Sequence, residues 1–343
     1  SDRLHTFILE SVVDLQQDFE RRGIQYAFHL ERKRWSRLKN EAASAQKTAS
    51  PLVALARRAA LVVTDFYPTF IMPRQTKRLR GKLRAVDGPG IVAVESCTVV
   101  PMTTFMEEFS SARAFPPRIL EALPHHLHPV ENPAPESIRR IDLPFEPTIL
   151  SSESIPALVA SCPIDHSVPP SPLFKGGMKA AHARLAGFLE HGIERYSTER
   201  NDPNLDASSG LSPYLHFGNI SMQRVLLKTR KVAPPKDFEK FQDEALVWRE
   251  LAHNFCYHNP KHRTVAAIPA WARKELDDHA DDPRPALYSR AALERAETAS
   301  PLWNAAQRSY VRDGHIHHAM RMLRGKAALT GTSDYSAALG VRE

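Results

Sequence analysis

Apolar residues at intervals of three and four open the chain. This spacing is kept by Leu4, Phe7, Ile8, Val12, Leu15 and Phe19. It places them on one face of a helix. Gly23 follows, and glycine often ends a helix because it tolerates the left-handed conformation. The pattern predicts an amphipathic helix from Leu4 to Arg22.

Short apolar runs come next, separated by helical or basic stretches. They occupy Ile24 to Leu30, Ala60 to Asp65 and Ile91 to Glu95. Such alternation is typical of parallel strands connected by helices. It predicts an α/β domain over residues 1–130. Because parallel sheets of this kind usually begin with a strand, we expect an opening strand ahead of the first helix, outside this sequence.

Proline becomes frequent over residues 131–176 and no hydrophobic period persists there. The segment keeps apolar residues such as Leu143 and Phe145, so we predict an interdomain linker that packs on a domain surface. The remaining residues, 177–343, have a helical period, which predicts an all-α domain. The predicted helices are Ala180 to Ser197, Ile220 to Lys231, Phe238 to His258, Ala291 to Ala296, and Leu302 to Leu329 with a break at Gly314.

Composition narrows the classes of function. A chain of 343 residues with a net charge of +7 is long enough for two domains and favours an anionic partner such as nucleic acid, or simply a basic solvated surface. Two basic stretches, Arg32 to Lys39 and Lys77 to Arg84, are either solvated helix faces or phosphate contacts. No apolar run approaches the roughly 20 residues that cross a bilayer, so we expect no membrane span.

The cysteines are few and far apart. Cys97, Cys162 and Cys256 are odd in number and lack CxxC spacing, so we expect neither a disulfide framework nor a thiolate metal site. This usage predicts a reducing, cytoplasmic compartment. The histidines at His315, His317 and His318 have no acidic or cysteine partner at a suitable spacing, so we also expect no metal there.

Two local patterns could bind a ligand. Hydroxyl residues and a glycine over Ser208 to Ser212 precede a helix start, where backbone N–H groups and hydroxyls can hold a phosphate; an ordinary helix cap has the same composition. Glu244 and Trp248 are four residues apart in a long helix and therefore share a face. Together they would suit a flat, hydrogen-bonding ligand such as a nucleobase, and the alternative is a core tryptophan.

Taken in order, these motifs resemble those of the photolyase/cryptochrome superfamily, and the class II cyclobutane pyrimidine dimer photolyases match best. The resemblance rests on Tyr196, Arg200-Asn201-Asp202-Pro203, Ser208 to Gly218, Glu244 to Leu251, Leu302 to Gln307 and Met320-Arg321-Met322. Within residues 1–130, Leu61 to Asp65 with Pro73-Arg74 is similar to the family's strand and following loop. Nearly the whole chain is covered.

The resemblance implies an N-terminal α/β antenna domain, a linker and a helical domain that binds FAD, with an antenna chromophore of unspecified identity. It implies a monomeric carbon–carbon lyase that repairs pyrimidine dimers in DNA with light, by electron transfer from reduced FAD. Residues implied to bind FAD are Tyr196, Ser208, Ser209, Gly210, Leu211, Ser212, Arg249 and Arg321. Residues implied to face the dimer are Glu244, Trp248 and Met322.

The sequence departs from the family in two respects. Arg324 and Gly331 stand where relay tryptophans are expected, so only Trp303 of that electron-transfer route remains. A family segment that reaches the flavin ring would follow Glu343, so we expect a partial sequence. A light sensor or DNA-binding flavoprotein without repair activity is the alternative function, although Glu244 and Trp248 favour repair.

Overall fold

The computed structural model describes residues 1–30, 50–109, 111–136 and 139–341, and the basic stretch Arg32 to Lys39 lies outside these ranges. The first helix, α1, covers Asp2–Arg21 and confirms the prediction from the apolar period. Gly23 follows it with a φ of 69°. No helix in the described ranges is both long and apolar enough to span a lipid bilayer.

A βαβ unit follows α1. Helix α2 (Pro51–Ala56) precedes strand β1 (Leu61–Asp65), helix α3 (Met72–Arg84) and strand β2 (Gly90–Val94). The strands are parallel, with Leu61 opposite Gly90 and Asp65 opposite Val94, as predicted. Pro73 and Arg74 lie in the first turn of α3 rather than in a loop.

The strand predicted over residues 24–30 is wrong. This segment has no regular secondary structure and pairs with no strand of the described chain. Its backbone contacts the proline-rich segment through isolated bonds instead: Thr148 N donates to Phe28 O at 2.7 Å, and Leu30 N donates to Thr148 Oγ1 at 3.4 Å. An apolar run needs a neighbouring strand to form a sheet, and an irregular segment lies beside it here.

The proline-rich segment packs on α1. Helices α4 (Phe115–Ala122) and α5 (Ile155–Ala160) lie before and within it. Leu150, Ile155 and Val159 are buried against Leu9, Val12 and Val13 of α1. Gln16 accepts from Leu150 N and donates to Leu150 O, which holds this contact in register. The domain boundaries at 130 and 176 stay a prediction.

The rest of the described chain is helical, as predicted. The helices are α6 (Met178–His191), α7 (Tyr196–Glu199), α8 (Ser212–His216), α9 (Met222–Val232), α10 (Pro235–Gln242), α11 (Arg249–His258), α12 (Ala270–Asp278), α13 (Arg290–Glu294), α14 (Pro301–Asp313), α15 (His318–Thr330) and α16 (Tyr335–Val341). A π-helical turn, Asp243–Trp248, joins α10 to α11. Gly314 ends α14 in the left-handed conformation, at the predicted break.

The largest core cluster joins the N-terminal helix to the first part of the helical region. Phe7 and Phe115 belong to it, together with Leu185, Leu226 and Leu246 of the helical region. All five side chains are at most 6% exposed. Helix α1 therefore packs against the helical region as well as against the proline-rich segment.

Polar contacts hold α1 against the start of α6. Gly176 N donates to Glu10 Oε2 at 2.6 Å, and Lys179 N donates to Asp14 Oδ2 at 2.9 Å. A Cβ at position 176 would stand 1.9 Å from Phe7 O, so only glycine permits this approach. Asp14 thus satisfies a backbone donor in the first turn of α6, and Glu10 satisfies one just before that helix.

Candidate functional site

A cavity of about 790 Å³ opens between the helices, and its volume lies within the range of small-molecule sites. Its wall also includes Tyr67 to Thr69, which follow strand β1. Most of the predicted site residues line it. They are Tyr196, Ser208, Ser209, Gly210, Leu211, Ser212, Glu244, Trp248, Arg249 and Arg321. The structure therefore brings together motifs that are more than a hundred residues apart in sequence.

The segment from Ser208 to Ser212 forms one part of the wall. Gly210 has a φ of 61°, which favours glycine, and a Cβ there would stand 2.5 Å from Arg184 Nε and would have to displace that side chain. Arg184 Nε donates to Ser209 O at 3.0 Å and holds the segment. Among the described residues, the hydroxyls of Ser208 and Ser212 have no hydrogen-bond partner. They are available to a ligand.

The predicted helix start at Ser212 is confirmed, but α8 has only five residues. Its macrodipole is correspondingly small, because the dipole is the sum over aligned peptide units. Anion binding at this segment would depend on individual hydroxyl and N–H donors and on nearby cations rather than on the helix dipole.

Glu244 lies between two cations. Arg200 Nη2 is 3.0 Å from Glu244 Oε2, and Lys240 Nζ is 2.9 Å from Glu244 Oε1. The bond to Glu244 raises the pKa of Lys240. Both carboxylate oxygens of Glu244 therefore face cationic donors, which fix the orientation of this side chain.

Arg200 is the buried member of this group. Its side chain is 9% exposed, and its guanidinium lies 5.5 Å from the centroid of the Tyr196 ring. Burial raises the pKa of Tyr196. We did not expect Arg200 or Lys240 to pair with Glu244. The four-residue spacing between Lys240 and Glu244 is a signal for that pair, whereas nothing local signals the contact of Arg200.

Glu244 and Trp248 reach the cavity from the π-helical turn. Such turns have one extra residue per turn and occur frequently at functional sites. The Trp248 indole is 49% exposed, so the alternative of a core tryptophan is wrong. Its aromatic face is accessible beside an anchored carboxylate.

Arg249 adds a positive charge that makes only a long ion pair in the described structure. Its Nη1 is buried without a hydrogen-bond partner in the described structure, and the nearest carboxylate oxygen, Glu250 Oε1, is 4.0 Å away. His253, one turn along α11, also lines the cavity. Burial and the charge of Arg249 lower the pKa of His253 to about 4, so it is neutral near pH 7. This wall is suited to an anionic ligand.

Glu250 anchors the same helix. It is fully buried and accepts from the backbone N–H groups of Val99 and Val100, the latter at 3.1 Å. Burial raises its pKa to about 7. Asn254, one turn later, accepts from Phe109 N at 2.9 Å. We did not single out either residue from the sequence, yet they fix α11, and hence Arg249, against the loop after β2.

Two predicted site residues lie away from the cavity. Met322 is 61% exposed and does not line it. Consecutive helical residues point about 100° apart, so α15 directs Arg321 into the cavity and Met322 elsewhere. Trp303 is buried, and its Nε1 donates to Leu293 O at 3.3 Å.

Arg324 lies between two aromatic rings. Its guanidinium carbon is 4.8 Å from the ring centroid of Trp303 and 5.8 Å from that of Tyr310. Tyr310 in turn lines the cavity. The Arg324 side chain therefore contacts both the buried indole and an aromatic residue of the cavity wall.

The histidine cluster is engaged in hydrogen bonds. His317 Nδ1 accepts from Ala319 N at 3.3 Å, so its Nε2 carries the proton and donates to Arg200 O at 3.0 Å. His318 Nε2 is 3.0 Å from Asn201 Oδ1. In the described ranges, no group of three or more His, Cys, Asp or Glu side chains is arranged to hold a metal ion.

Comparison with known proteins identifies relatives of this chain. No family model matches the chain. It is 38% identical over 299 residues to the deoxyribodipyrimidine photo-lyase of rice, and this match covers 83% of the chain and 58% of that protein. It is 30% identical over 333 residues to the deoxyribodipyrimidine photo-lyase of Methanothermobacter thermautotrophicus, covering 97% of the chain and 68% of that protein.

The fold agrees with the sequence comparison. A cryptochrome from Synechocystis superimposes with a TM-score of 0.66 at 16% identity, covering 98% of this chain and 67% of that structure. The chain thus spans a little under three fifths of the rice protein's length and about two thirds of the archaeal one's. On these matches, the chain belongs to the photolyase/cryptochrome superfamily, together with the deoxyribodipyrimidine photo-lyases.

Proposed function

We propose that this chain carries out light-dependent repair of cyclobutane pyrimidine dimers in DNA with reduced FAD, as a class II photolyase. One observation carries the proposal: a single cavity combines a donor-rich, cationic wall with an accessible indole beside an anchored carboxylate. The first feature suits a phosphate-bearing cofactor, and the second suits a pyrimidine ring. The relatives named deoxyribodipyrimidine photo-lyase support the same chemistry.

The residues present fit FAD. Arg249 Nη1 and Arg200 Nε are buried at the cavity without partners in the described structure, and a bound anion would satisfy such donors. Ser208 to Ser212, with Tyr196 and Arg321, would hold the phosphates and ribityl chain. When bound, reduced flavin supplies the electron that splits the dimer after light absorption.

The chain's own residues would bind and orient the substrate. A dimer must leave the duplex to reach the cavity, and stacking on the half-exposed Trp248 indole compensates in part for the lost base stacking. Glu244, oriented by its two ion pairs, would accept from an imide N–H of the dimer. Arg200 and Lys240 keep that carboxylate in place.

A repair assay tests the proposal. The chain, loaded with FAD and chemically reduced, is illuminated with a duplex that contains one thymine dimer, and loss of the dimer is measured. We expect repair that requires light and is strongly reduced in Ser209→Glu, which places a carboxylate beside the proposed phosphate site. Flavin retention without any repair would favour the alternative, a light-sensing or DNA-binding flavoprotein.

The domain division, the antenna chromophore, the oligomeric state and the cellular location are further proposals. We propose an antenna-type α/β domain over residues 1–130, a linker over 131–176 and an FAD-binding domain over 177–343, because both described strands precede residue 130 and the described chain beyond 176 is helical. An antenna chromophore, a monomeric state and a cytoplasmic location are proposed on the resemblance and the cysteine pattern. Light scattering and the absorption spectrum of the purified chain test the first two.

A further inference from the structure

Helix α3 has the densest basic charge in the described chain. Its 13 residues, Met72–Arg84, include six cations and no acid. For comparison, the whole chain has a net charge of +7. All six side chains are exposed. They are Arg74, Lys77, Arg78, Arg80, Lys82 and Arg84.

The cations cover one side of the helix. Arg74, Arg78 and Lys82 form a stripe at intervals of four residues, and Lys77, Arg80 and Arg84 form a second stripe at intervals of three and four. Gly81 lies between the stripes, and a Cβ there would meet no atom within 4 Å. We call this open surface the α3 basic face.

The charges of this face are not neutralised within the described structure. None of the six side chains has a hydrogen bond or ion pair with another described residue. By contrast, Lys274, Arg290 and Arg295 are exposed cations that each pair with an acid two or four residues away. The α3 cations are therefore available to an external anion.

The face begins at the edge of the cavity. Thr69 lines the cavity, and its Oγ1 is hydrogen-bonded to His262 Nε2 at 2.6 Å. Helix α3 starts three residues after Thr69. Thirteen helical residues extend about 20 Å. Successive phosphates of one DNA strand rise about 3.4 Å along the duplex axis, so a helix of this length laid along the axis spans roughly six of them.

We propose that the α3 basic face binds the phosphate backbone of duplex DNA next to the base held in the cavity. The inference rests on the proposed function, in which DNA is the substrate. Charge complementarity identifies the partner as a polyanion. An anionic membrane is disfavoured, because insertion of a helix needs an exposed apolar side and neither Leu79 nor Leu83 of α3 is exposed; the exposed Phe70 and Ile71 precede the helix.

The first test removes one stripe. Arg74, Arg78 and Lys82 are replaced by Gln, which is a good helix former, and binding to duplexes with and without a dimer is measured from 50 to 200 mM salt. Each lost phosphate contact lowers the slope of log K against log salt by about 0.9, so we expect a reduction of about 2.7. The affinity loss should be equal for both duplexes, because backbone contacts do not read the lesion.

A matched control separates a local contact from net charge. Replacing Lys274, Arg290 and Arg295 by Gln removes the same charge from exposed positions that are already paired. We expect little change of slope in this variant. If it weakened DNA binding as much as the α3 variant, or if the α3 variant bound duplex DNA with an unchanged slope, the proposal would be wrong.

A second pair of variants adds charge without removing a side chain. Gly81→Glu and Gly81→Gln place isosteric side chains in open space at the centre of the face. We expect only Gly81→Glu to weaken duplex binding and lower the salt slope. Equal duplex binding by the two variants would count against the α3 basic face. The proposal would also be wrong if the substitutions weakened binding to phosphatidylserine vesicles but not to DNA.

The outcomes also separate this surface from the proposed function. Absence of repair combined with salt-dependent duplex binding that needs the α3 face would refute the function and leave the surface standing. Repair together with duplex binding that does not depend on the α3 basic face would support the proposed function and refute the surface. Failure of the unmodified chain to bind any duplex would overturn the surface.

Discussion

The pair between Arg200 and Glu244 should stabilise the fold measurably. Removing one partner of an exposed ion pair costs about 0–1 kcal/mol, and breaking a buried one costs about 3–5 kcal/mol. Here Arg200 is 9% and Glu244 is 27% exposed. In Glu244→Ala, Arg200 would keep its bond to Asn201 at 3.1 Å and its contact with the Tyr196 ring. We therefore expect a loss of about 2 kcal/mol, between the two limits.

Urea unfolding followed by tryptophan fluorescence measures this loss. Asp243→Ala is the matched control, because Asp243 is the neighbouring acid and pairs with Lys240 at 3.0 Å but not with Arg200. That pair is exposed on both sides, so its removal should cost only about 0.3–0.5 kcal/mol. A double-mutant cycle completes the test, since Glu244→Ala should cost much less in an Arg200→Met background.

Two results would refute the reasoning. Equal losses for Glu244→Ala and Asp243→Ala would mean that burial of Arg200 adds nothing to the pair. An undiminished loss in the Arg200→Met background would mean that Glu244 acts through another partner.

Three other predictions follow from the site. Trp248→Ala should weaken binding to dimer-containing DNA by roughly 1–3 kcal/mol, the worth of one base–aromatic stack, and leave binding to undamaged duplex unchanged; equal losses on both would contradict a stacking role. Burial raises the pKa of Glu250 from 4.5 to about 7, so its stabilising contribution is complete below pH 4.5 and is lost as the pH rises through about 7. In Glu250→Gln the free energy of unfolding, measured in urea at pH 5 and 7.5, should therefore decline less with rising pH than in the unmodified chain, and an identical pH dependence would refute the assignment. Arg324→Trp should speed light-driven reduction of bound oxidised FAD, because an oxidisable ring would then connect Trp303 with Tyr310. The rate is measured by flavin absorbance, and equal rates in Arg324→Trp and Arg324→Gln would exclude this route.

Features that depend on local periodicity could be predicted from the amino-acid sequence. The apolar spacing of α1 and the helical periods beyond residue 177 predict helices that the structure contains, because a helix forms all its backbone bonds within its own segment. The parallel pair β1 and β2 was also predictable from apolar runs on either side of a helical stretch. Motif order alone pointed to the superfamily that the comparisons show.

Contacts between residues far apart in the sequence could not be predicted, because they depend on how the elements pack. The run at 24–30 forms no strand, because a strand requires a partner strand and the proline-rich segment lies beside it instead. Arg200 reaches Glu244 across 44 residues, and no local pattern encodes that contact. Met322 follows Arg321 directly but misses the cavity, since the rotation of α15 against its neighbours decides which of two adjacent side chains points inward. The local spacing of apolar residues specifies the helices and strands, whereas the packing of their faces specifies which residues line the cavity.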